Sequence, residues 1–421
     1  ALVLRAPQAY LERWLPAAGG LLQEPMFAGA AARAEQARTY SPGSLRPETA
    51  RALYGAELHF SSSRIDVLAG CRFAHFLQYG LRAQEREPAE FDSRFYGTFV
   101  HDVLEYIVQQ TEREGGFAAV PRSRVQELAQ ERMEQNAQTL LETFPDSGRT
   151  GYLLRRTFDE VTQVVDELYD ELSVSAFRPK FCELEFSARG ALPGVAFSGK
   201  RCRGVVEGFV DRVDVWQSGG RPYVRVVDYK TGKKSFDYTN VLHGRGLQML
   251  LYLFALVRQG GHLLHGEPLP AGVLYFPARI ERVSVRDRLA QAEIEKERRK
   301  QLRRSGVLLN SDPVLEAMEP CGGSPRFLPY TLDKEGRKTG DLASFAQLAQ
   351  LERFVFRTVA ALGDELADGR IDPDPCIRDA KDSACAFCPY SEVCAGHEQP
   401  RWLKKITAEE FWQTLERREH G

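Results

Sequence analysis

The sequence predicts a protein built from both β-strands and α-helices. Residues 205–216 and 222–228 are rich in β-branched and aromatic side chains, and the turn residues Ser218-Gly219-Gly220 lie between them. This pattern is typical of a β-hairpin. Segments in which apolar residues recur with helical spacing precede and follow the hairpin, so we expect helices to pack on a sheet.

The other elements up to residue 278 are predicted from residues that typically begin or end helices and strands and from the spacing of apolar residues. Ser61 and the two serines after it form a cap-like cluster before a helix that runs to Cys71. Gly97 and Thr98 are predicted to begin the next helix. Further helices are expected over residues 122–143 and 153–173, and further strands over residues 181–186 and 271–278.

The later part of the chain gives weaker signals. Residues 286–304 are highly charged, which predicts a solvated helix or, as a second choice, a basic end that contacts phosphate. Residues 321–340 are predicted to be a loop, and residues 344–368 a long amphipathic helix. Thr407 and Glu410 have the spacing of a capping box, which predicts a C-terminal helix.

The central hairpin carries the residues with the clearest chemical meaning. Asp211 lies within the first strand, and Asp228 and Lys230 lie at the end of the second. Because side chains alternate between the two faces of a strand, Asp228 and Lys230 share a face. Carboxylate oxygens suit Mg²⁺ or Mn²⁺, and a neighbouring lysine can position or deprotonate a water. Each residue alone is equally compatible with an exposed strand end.

Two helical pairs accompany the hairpin. His101 and Glu105 are four residues apart and share a helix face, as do Gln248 and Tyr252. Taken alone, His101 is more often a structural histidine, Glu105 a surface charge, and the Gln248–Tyr252 pair the rim of an apolar helix. Only the order of these residues around the hairpin favours a functional interpretation.

The composition limits the class of protein. The chain has 421 residues, 43% of them hydrophobic and 27% charged, which is ordinary for a globular protein. The net charge of −2 indicates that any contact with DNA must come from local patches. The longest apolar run, near residues 247–257, is too short to span a bilayer, and no secretory signal or Walker A motif occurs. We therefore expect a cytoplasmic location, and the initial Ala1 suggests a fragment of a longer protein.

Three cysteines stand close together near the end, as Cys385-x2-Cys388-x5-Cys394. In a cytoplasmic chain this spacing favours a metal site over disulfides. Three thiolates need a fourth ligand, for which Cys71 is the natural candidate and Cys376 a competitor. Four thiolates suit either zinc or a 4Fe–4S cluster.

Together, four motifs follow one another along the chain: Gly97-Thr98-x-x-His101, Gly208-x-x-Asp211, Asp228-x-Lys230 and Gln248-x-x-x-Tyr252. This order resembles the RecB-type branch of the PD-(D/E)XK nuclease superfamily. The resemblance implies an α/β fold with a restriction-endonuclease-like core, which is a mixed β-sheet flanked by helices, here with helical insertions.

The same resemblance implies a role for each residue of the motifs. The metal ligands would be His101, Asp211, Asp228 and the Tyr229 carbonyl, and the metal Mg²⁺ or Mn²⁺. Lys230 would orient or activate the attacking water. Gln248 and Tyr252 would help to place that water or the DNA backbone.

The cysteine arrangement is similar to the iron–sulfur staple of AddB-type subunits of bacterial helicase–nucleases. That likeness implies a 4Fe–4S cluster on Cys71, Cys385, Cys388 and Cys394, while Cys376 does not fit the motif. It also implies metal-dependent hydrolysis of unwound DNA strands during repair of double-strand breaks, with an AddA-like helicase as the partner. A stand-alone nuclease of CRISPR or phage type, or a module that binds DNA ends with an idle site, remain the alternatives.

This resemblance covers roughly residues 58–400, which we expect to form the nuclease domain with its iron–sulfur staple. Residues 1–57 are expected to be a connector or helical arm from a preceding domain. Residues 401–421 are expected to form the C-terminal helix.

Overall fold

A computed structural model describes residues 43–83, 93–143, 148–232, 235–280, 291–394 and 400–420, together with residues 25, 29, 32 and 33. Most of the predicted connector and residues 286–290 of the predicted charged helix lie outside these residues. The chain divides into two compact units. Within the described ranges, unit 1 comprises residues 43–56, 67–83, 362–394 and 400–405, and unit 2 comprises the rest of the continuous segments.

The strands are β1 (Leu58–Ser61), β2 (Arg178–Phe186), β3 (Val195–Ser198), β4 (Arg203–Ser218), β5 (Arg221–Lys230), β6 (Leu269–Pro277), β7 (Ser305–Leu309), β8 (Tyr330–Leu332), β9 (Lys338–Gly340), β10 (Leu342–Ala343), β11 (Cys376–Ile377) and β12 (Arg401–Trp402).

The helices are α1 (Pro47–Tyr54), α2 (Ser62–Gly70), α3 (Arg72–His75), α4 (Ser93–Arg113), α5 (Arg122–Thr143), α6 (Gly148–Leu172), α7 (Tyr238–Leu242), α8 (Gln248–Gln259), α9 (Gly261–Leu264), α10 (Gln291–Leu302), α11 (Asp312–Met318), α12 (Phe345–Ala367) and α13 (Ala408–His420), and a π-helical turn (Phe76–Gly80) follows α3.

Unit 2 is built on an eight-stranded mixed sheet. The main order is β1-β4-β5-β6-β7-β10, and β2 and β3 also pair with β4. β4 is antiparallel to β5, β5 is parallel to β6, and β6 is antiparallel to β7. α8 is buried from Met249 to Leu256 and packs against β5 and β6, as expected for a helix that is apolar on all sides. The predicted mixed sheet with flanking helices is confirmed.

Most of the predicted elements are confirmed. The hairpin turn pairs Ser218 with Arg221, and its two glycines have φ values of +58° and +75°, which side chains rarely adopt. The helix over residues 122–143 has the predicted bounds, and Arg64 N donates to Ser61 Oγ over 3.2 Å at the start of α2. The capping box is also present, because Thr407 N donates to the Glu410 carboxylate over 2.8 Å.

Three predictions were wrong in position or type. Gly97 lies inside α4, which begins at Ser93, and α6 begins at Gly148 rather than at residue 153. The predicted loop over residues 321–340 contains the β8–β9 hairpin. The short strands β1, β3, β7 and β10 were not predicted, because two to five residues carry too little periodicity to reveal a strand.

In unit 1, segments that are far apart in sequence contact one buried arginine, Arg72. Arg72 Nε donates to Glu365 over 2.8 Å, its backbone N–H donates to Asp374 over 3.1 Å, and its guanidinium forms a further ion pair with Asp374. Arg401 Nε lies 3.0 Å from the same Asp374 carboxylate. These contacts fix the chain around residue 72 against the segment that leads to β11.

A second charged cluster is fully buried in unit 2, between α6 and the sheet. Arg212 and Arg225 each lie 2.8 Å from Asp214, Arg225 lies 2.9 Å from Glu171, and Arg304 donates to Glu171 over 2.8 Å. Burial alone would raise the pKa of Glu171, but the three guanidinium groups lower it to about 2. We call these five residues the buried arginine cluster. Arg304 thus belongs to the interior and not to a phosphate-contacting surface.

No helix in the described segments is both long enough and apolar enough to cross a membrane.

The buried arginine cluster yields a first prediction. Glu171→Gln should lower the free energy of unfolding by about 3–5 kcal/mol, because it leaves three buried guanidinium groups with one carboxylate. The folded pKa of about 2 lies below the ordinary 4.5, so the native stabilisation is present above pH 4.5 and is lost as the pH falls towards 2.

Urea denaturation of Glu171→Gln and of a control variant at pH 7 measures the change in the free energy of unfolding. Glu267→Gln is the control, since the Glu267 side chain is 91% exposed beside Arg221 and should leave the stability unchanged. Equal stabilities for Glu171→Gln and the unmodified protein would contradict the importance of the cluster.

Candidate active site

The β4–β5 hairpin brings the two predicted aspartates together. Arg212 of β4 pairs with Val227 of β5. Asp211 directly precedes Arg212, and Asp228 directly follows Val227, so the two aspartates lie next to each other on adjacent strands. The Tyr229 backbone N–H donates to the Asp211 carboxylate over 2.6 Å. Both carboxylates are largely buried, with side-chain exposures of 12% for Asp211 and 6% for Asp228. The predicted pairing of the hairpin is therefore what creates the acidic site.

His101 reaches this site from α4. Its Nδ1 lies 3.5 Å from Asp211 Oδ2, and its Nε2 lies 2.9 Å from the Tyr229 carbonyl oxygen. The two contacts use different ring nitrogens: Nε2 is in hydrogen-bond range of the carbonyl oxygen, and Nδ1 is the atom that faces the Asp211 carboxylate. The structure thus places three of the predicted metal ligands, His101, Asp211 and Tyr229, in mutual contact.

Tyr229 is held at three points. Its N–H contacts Asp211, its carbonyl contacts His101, and its hydroxyl accepts a hydrogen bond from Arg212 Nη1 over 3.0 Å. Arg212 belongs to the buried arginine cluster, so the backbone at the site is tied directly to the charged interior. The sequence did not reveal this connection, because it depends on contacts between strands.

Glu183 is a member of the site that sequence reasoning missed. It stands on β2 between the pairs Cys182–Arg212 and Leu184–Val210, and hence opposite Asp211. Ligand atoms of His101, Glu183 and Asp211 all lie within 4.8 Å of one another.

The backbone of Glu183 is unusual. Its φ is +48°, a left-handed conformation that is rare for a residue with a side chain and often marks a functional position. No signal in the sequence separates Glu183 from Glu185, two residues later on the same strand.

The carboxylates of the site repel one another. Burial and the nearby Asp228 raise the pKa of Asp211 to about 6, although His101 and Lys230 oppose the rise. Burial, Asp211, Glu105 and Asp228 raise the pKa of Glu183 to about 7. A divalent cation would relieve this repulsion, and imidazole with carboxylate oxygens is a suitable donor set for Mg²⁺ or Mn²⁺. The residues present therefore fit the implied metal.

Lys230 lies at the exposed side of the acidic site. Its ammonium forms an ion pair with Asp228, and its side chain is 23% exposed. Glu105, one turn after His101 on α4, accepts a hydrogen bond from Gln109 over 2.8 Å. Lys230 is thus next to a carboxylate of the site, whereas Glu105 acts on it through its charge.

Gln248 and Tyr252 lie on α8, as predicted. Gln248 is the first residue of the helix and is partly exposed. Tyr252 is buried, stacks on Phe186 with ring centroids 4.9 Å apart, and donates its hydroxyl to the Glu207 carbonyl over 3.3 Å. Burial, with a contribution from Asp228, raises the pKa of Tyr252 to about 12.

The same tyrosine explains the glycine of the Gly208-x-x-Asp211 motif. A Cβ atom at position 208 would lie 2.2 Å from the Tyr252 hydroxyl oxygen, and the φ of Gly208 is +153°. Both the space and the backbone conformation therefore require glycine at this position.

The four predicted cluster cysteines surround one cavity of unit 1. Cys71, Cys385, Cys388 and Cys394 all line a cavity of about 270 Å³. Burial raises the pKa of Cys71 to about 11, and burial also raises the pKa of Cys385. Cys376 is not among the residues that line this cavity, and its Sγ lies 3.3 Å from the Ala69 carbonyl oxygen.

Comparison with known proteins gives results that agree with this geometry. The family model of the PD-(D/E)XK nuclease superfamily matches residues 59–395. The chain is also similar to curated proteins whose name describes the AddB subunit of an ATP-dependent helicase/deoxyribonuclease. The protein of this name from Moorella thermoacetica is 34% identical over 357 residues, which are 83% of this chain and 31% of that protein.

Two further relatives carry the same name. The one from Caldanaerobacter subterraneus is 31% identical over 366 residues, which are 83% of this chain and 30% of that protein. The one from Thermoanaerobacter sp. is 29% identical over 379 residues, which are 87% of this chain and 33% of that protein. The chain spans about a third of the length of the curated relatives it matches.

These similarities confirm the predicted resemblance to AddB-type subunits, and the family match confirms the predicted nuclease fold. The matched residues include both strands of the central hairpin, the helix that carries His101 and the helix that carries Gln248 and Tyr252. The chain belongs to the PD-(D/E)XK nuclease superfamily.

Proposed function

We propose that this chain is the nuclease region of an AddB-type subunit and hydrolyses phosphodiester bonds in unwound DNA strands. The observation that carries the proposal is the convergence of His101, Glu183 and Asp211 at the strand pair that also bears Asp228 and Lys230. A histidine, several crowded carboxylates and an accessible lysine provide the groups that metal-assisted phosphodiester hydrolysis needs.

The metal-holding residues are His101, Asp211, Asp228 and the Tyr229 carbonyl, and we add Glu183 to this predicted set. A bound Mg²⁺ or Mn²⁺ would lower the pKa of a water and offset negative charge on the phosphate. The buried arginine cluster and the Tyr229 hydrogen bonds keep these ligands in position before any substrate arrives.

Lys230 has the central role among the residues that hold no metal. Its ammonium can release Asp228 and hold the attacking water or a phosphate oxygen, because both partners are anionic or polar and Lys230 is partly exposed. Gln248 begins the adjacent helix and can contact the DNA backbone. Tyr252 packs against β4 at Gly208, three residues before Asp211, and donates a hydrogen bond to the Glu207 carbonyl.

We infer the substrate and the partner from the name that the relatives share. Similarity to helicase/deoxyribonuclease subunits over 83–87% of the chain favours a subunit of such a complex over a stand-alone nuclease. An AddA-like helicase would supply the single strands at a double-strand end. In this proposal residues 58–400 form the nuclease domain, residues 1–57 connect it to a preceding domain, and residues 401–421 are a C-terminal segment whose helix is α13, Ala408–His420.

The cysteine cavity would hold a 4Fe–4S cluster with a structural role. Its four ligands come from two segments of unit 1 that are far apart in sequence, so a cluster would close a very long loop. The similarity to AddB-type subunits supports a cluster rather than a single zinc ion.

Replacement of Asp228 tests the nuclease assignment. Asp228→Asn should reduce cleavage of single-stranded DNA in Mg²⁺ by at least about a hundredfold, because it removes a charge that holds the metal. Binding of the same DNA in Ca²⁺ should persist. Asp312→Asn is the matched control, since the Asp312 side chain is 79% exposed and lies outside the site.

Cleavage that survives in Asp228→Asn would contradict the assignment. An unmodified protein that binds DNA but never cleaves it would support the alternative of an idle site.

Glu183→Gln tests the residue that the sequence did not reveal. The folded pKa of about 7 lies above the ordinary 4.5, so the metal-free protein should lose stability as the pH rises from 4.5 to 7. Glu183→Gln should lose less stability over this range and melt at a higher temperature at pH 8. It should also bind Mn²⁺ about tenfold more weakly, which calorimetry can measure.

Glu185→Gln on the same strand is the control for both measurements. Unchanged Mn²⁺ affinity in Glu183→Gln would remove Glu183 from the ligand set.

Metal analysis tests the cysteine cavity. Protein purified without oxygen should be brown and contain about four irons and four sulfides per chain. Cys388→Ser should lose the colour and most of the iron, whereas Cys321→Ser, at an exposed cysteine outside the cavity, should keep both. A colourless protein with about one zinc would contradict the cluster and leave the nuclease assignment unaffected.

A further inference from the structure

A second cavity of unit 2 lies directly beside Lys230. Its volume is about 260 Å³, far larger than the roughly 10–15 Å³ of a single water site and near the lower end of pockets that bind small organic ligands, roughly 300–1,000 Å³. Six of its lining residues carry the argument: Lys230, Tyr275, Pro277, Arg279, Gln301 and Arg303. We call it the flanking cavity.

The flanking cavity is strongly cationic. Arg279 and Arg303 each add a positive charge, Lys230 adds a third that is paired with Asp228, and the described residues that line the cavity include no acidic side chain. Arg279 is exposed, and its Cζ lies 4.9 Å from the centre of the Tyr96 ring, which fixes the direction of its guanidinium. A cavity with this charge favours an anionic ligand.

Two hydrogen bonds to backbone carbonyls hold the Arg303 side chain in place. Its Nε donates to the Leu328 carbonyl over 2.9 Å, and its Nη2 donates to the Tyr330 carbonyl. These bonds fix the plane of the guanidinium, so the Nη1 donors can meet a phosphate without further loss of side-chain freedom. Arg303 directly follows α10, at the basic end for which phosphate contact was the second interpretation of the sequence.

Other residues that line the flanking cavity are suited to bind a nucleobase. The side-chain oxygen of Gln301 is buried and has no hydrogen-bond partner among the described residues. A buried acceptor of this kind costs free energy unless a donor from a ligand, such as a ring or exocyclic N–H of a nucleobase, satisfies it. Tyr275 and Pro277 supply apolar surface on which a flat base can pack.

From these observations we infer that the flanking cavity binds the nucleotide next to the scissile phosphate, with its phosphate on Arg279 and Arg303 and its base near Gln301 and Tyr275. This inference rests on the proposed function, because Lys230 links the cavity to the acidic site. A strand whose scissile phosphate lies at Lys230 would extend into the cavity with its neighbouring nucleotide.

Binding measurements on the full 421-residue chain test the inference without depending on cleavage. The probe is a fluorescein-labelled twelve-residue oligothymidylate in Ca²⁺, followed by fluorescence anisotropy. Arg279→Ala should raise the Kd about tenfold, and the slope of log K against log salt should fall by about 0.7 because one phosphate contact is lost. Arg221→Ala is the matched control, at the other end of β5 and outside the cavity.

Cleavage kinetics then identify the nucleotide position whose base occupies the flanking cavity. Oligonucleotides with one abasic residue at successive positions should be cut by the unmodified protein with a higher KM at a single position beside the cut. Gln301→Ala should raise the KM of intact DNA with little change in kcat and should erase the effect of that abasic position.

An unchanged Kd in Arg279→Ala, or equal KM values at all abasic positions, would overturn the inference. If the proposed function fails, the unmodified protein does not cleave, yet the Kd values and the salt slope still decide whether the cavity binds the strand.

Discussion

Mutual repulsion among carboxylates is the constraint on which the arrangement of unit 2 depends. Burial, together with the mutual repulsion of Asp211, Asp228 and Glu183, raises the pKa values of Asp211 and Glu183 well above the ordinary range. Such a group of charges is unfavourable unless a cation joins it, so the metal-free site lowers the stability of the fold. The site is therefore arranged for an ion, and the free energy of folding must be supplied by the surrounding structure.

The surrounding structure supplies it through buried charges of the opposite sign. Three arginines and two acidic residues lie between α6 and the sheet, with one positive charge in excess. Arg212 directly follows Asp211 in sequence and donates to the Tyr229 hydroxyl, so this positive region reaches the backbone of the site. The helices before the hairpin consequently have an electrostatic role as well as a packing role.

The sequence was sufficient for the hairpin and the long helices, because each depends on local periodicity. It was not sufficient for Glu183, whose role arises from a left-handed backbone and from its position opposite Asp211. Neither feature leaves a trace in local composition. Arg303 and Arg304 show the same limit, since two adjacent arginines of one basic segment end in a cavity and in the interior, respectively.

Gly208 and Tyr252 are far apart in sequence but in close contact in the fold, and this contact limits how related sequences can diverge. Any side chain at 208 would overlap the tyrosine hydroxyl, which in turn holds the Glu207 carbonyl. Loss of the hydroxyl would make room for a methyl group, yet the φ of +153° would still disfavour it. The glycine is thus fixed both by the tyrosine and by its own backbone, so substitution of the tyrosine alone would not free position 208 to vary among descendants of a common ancestor.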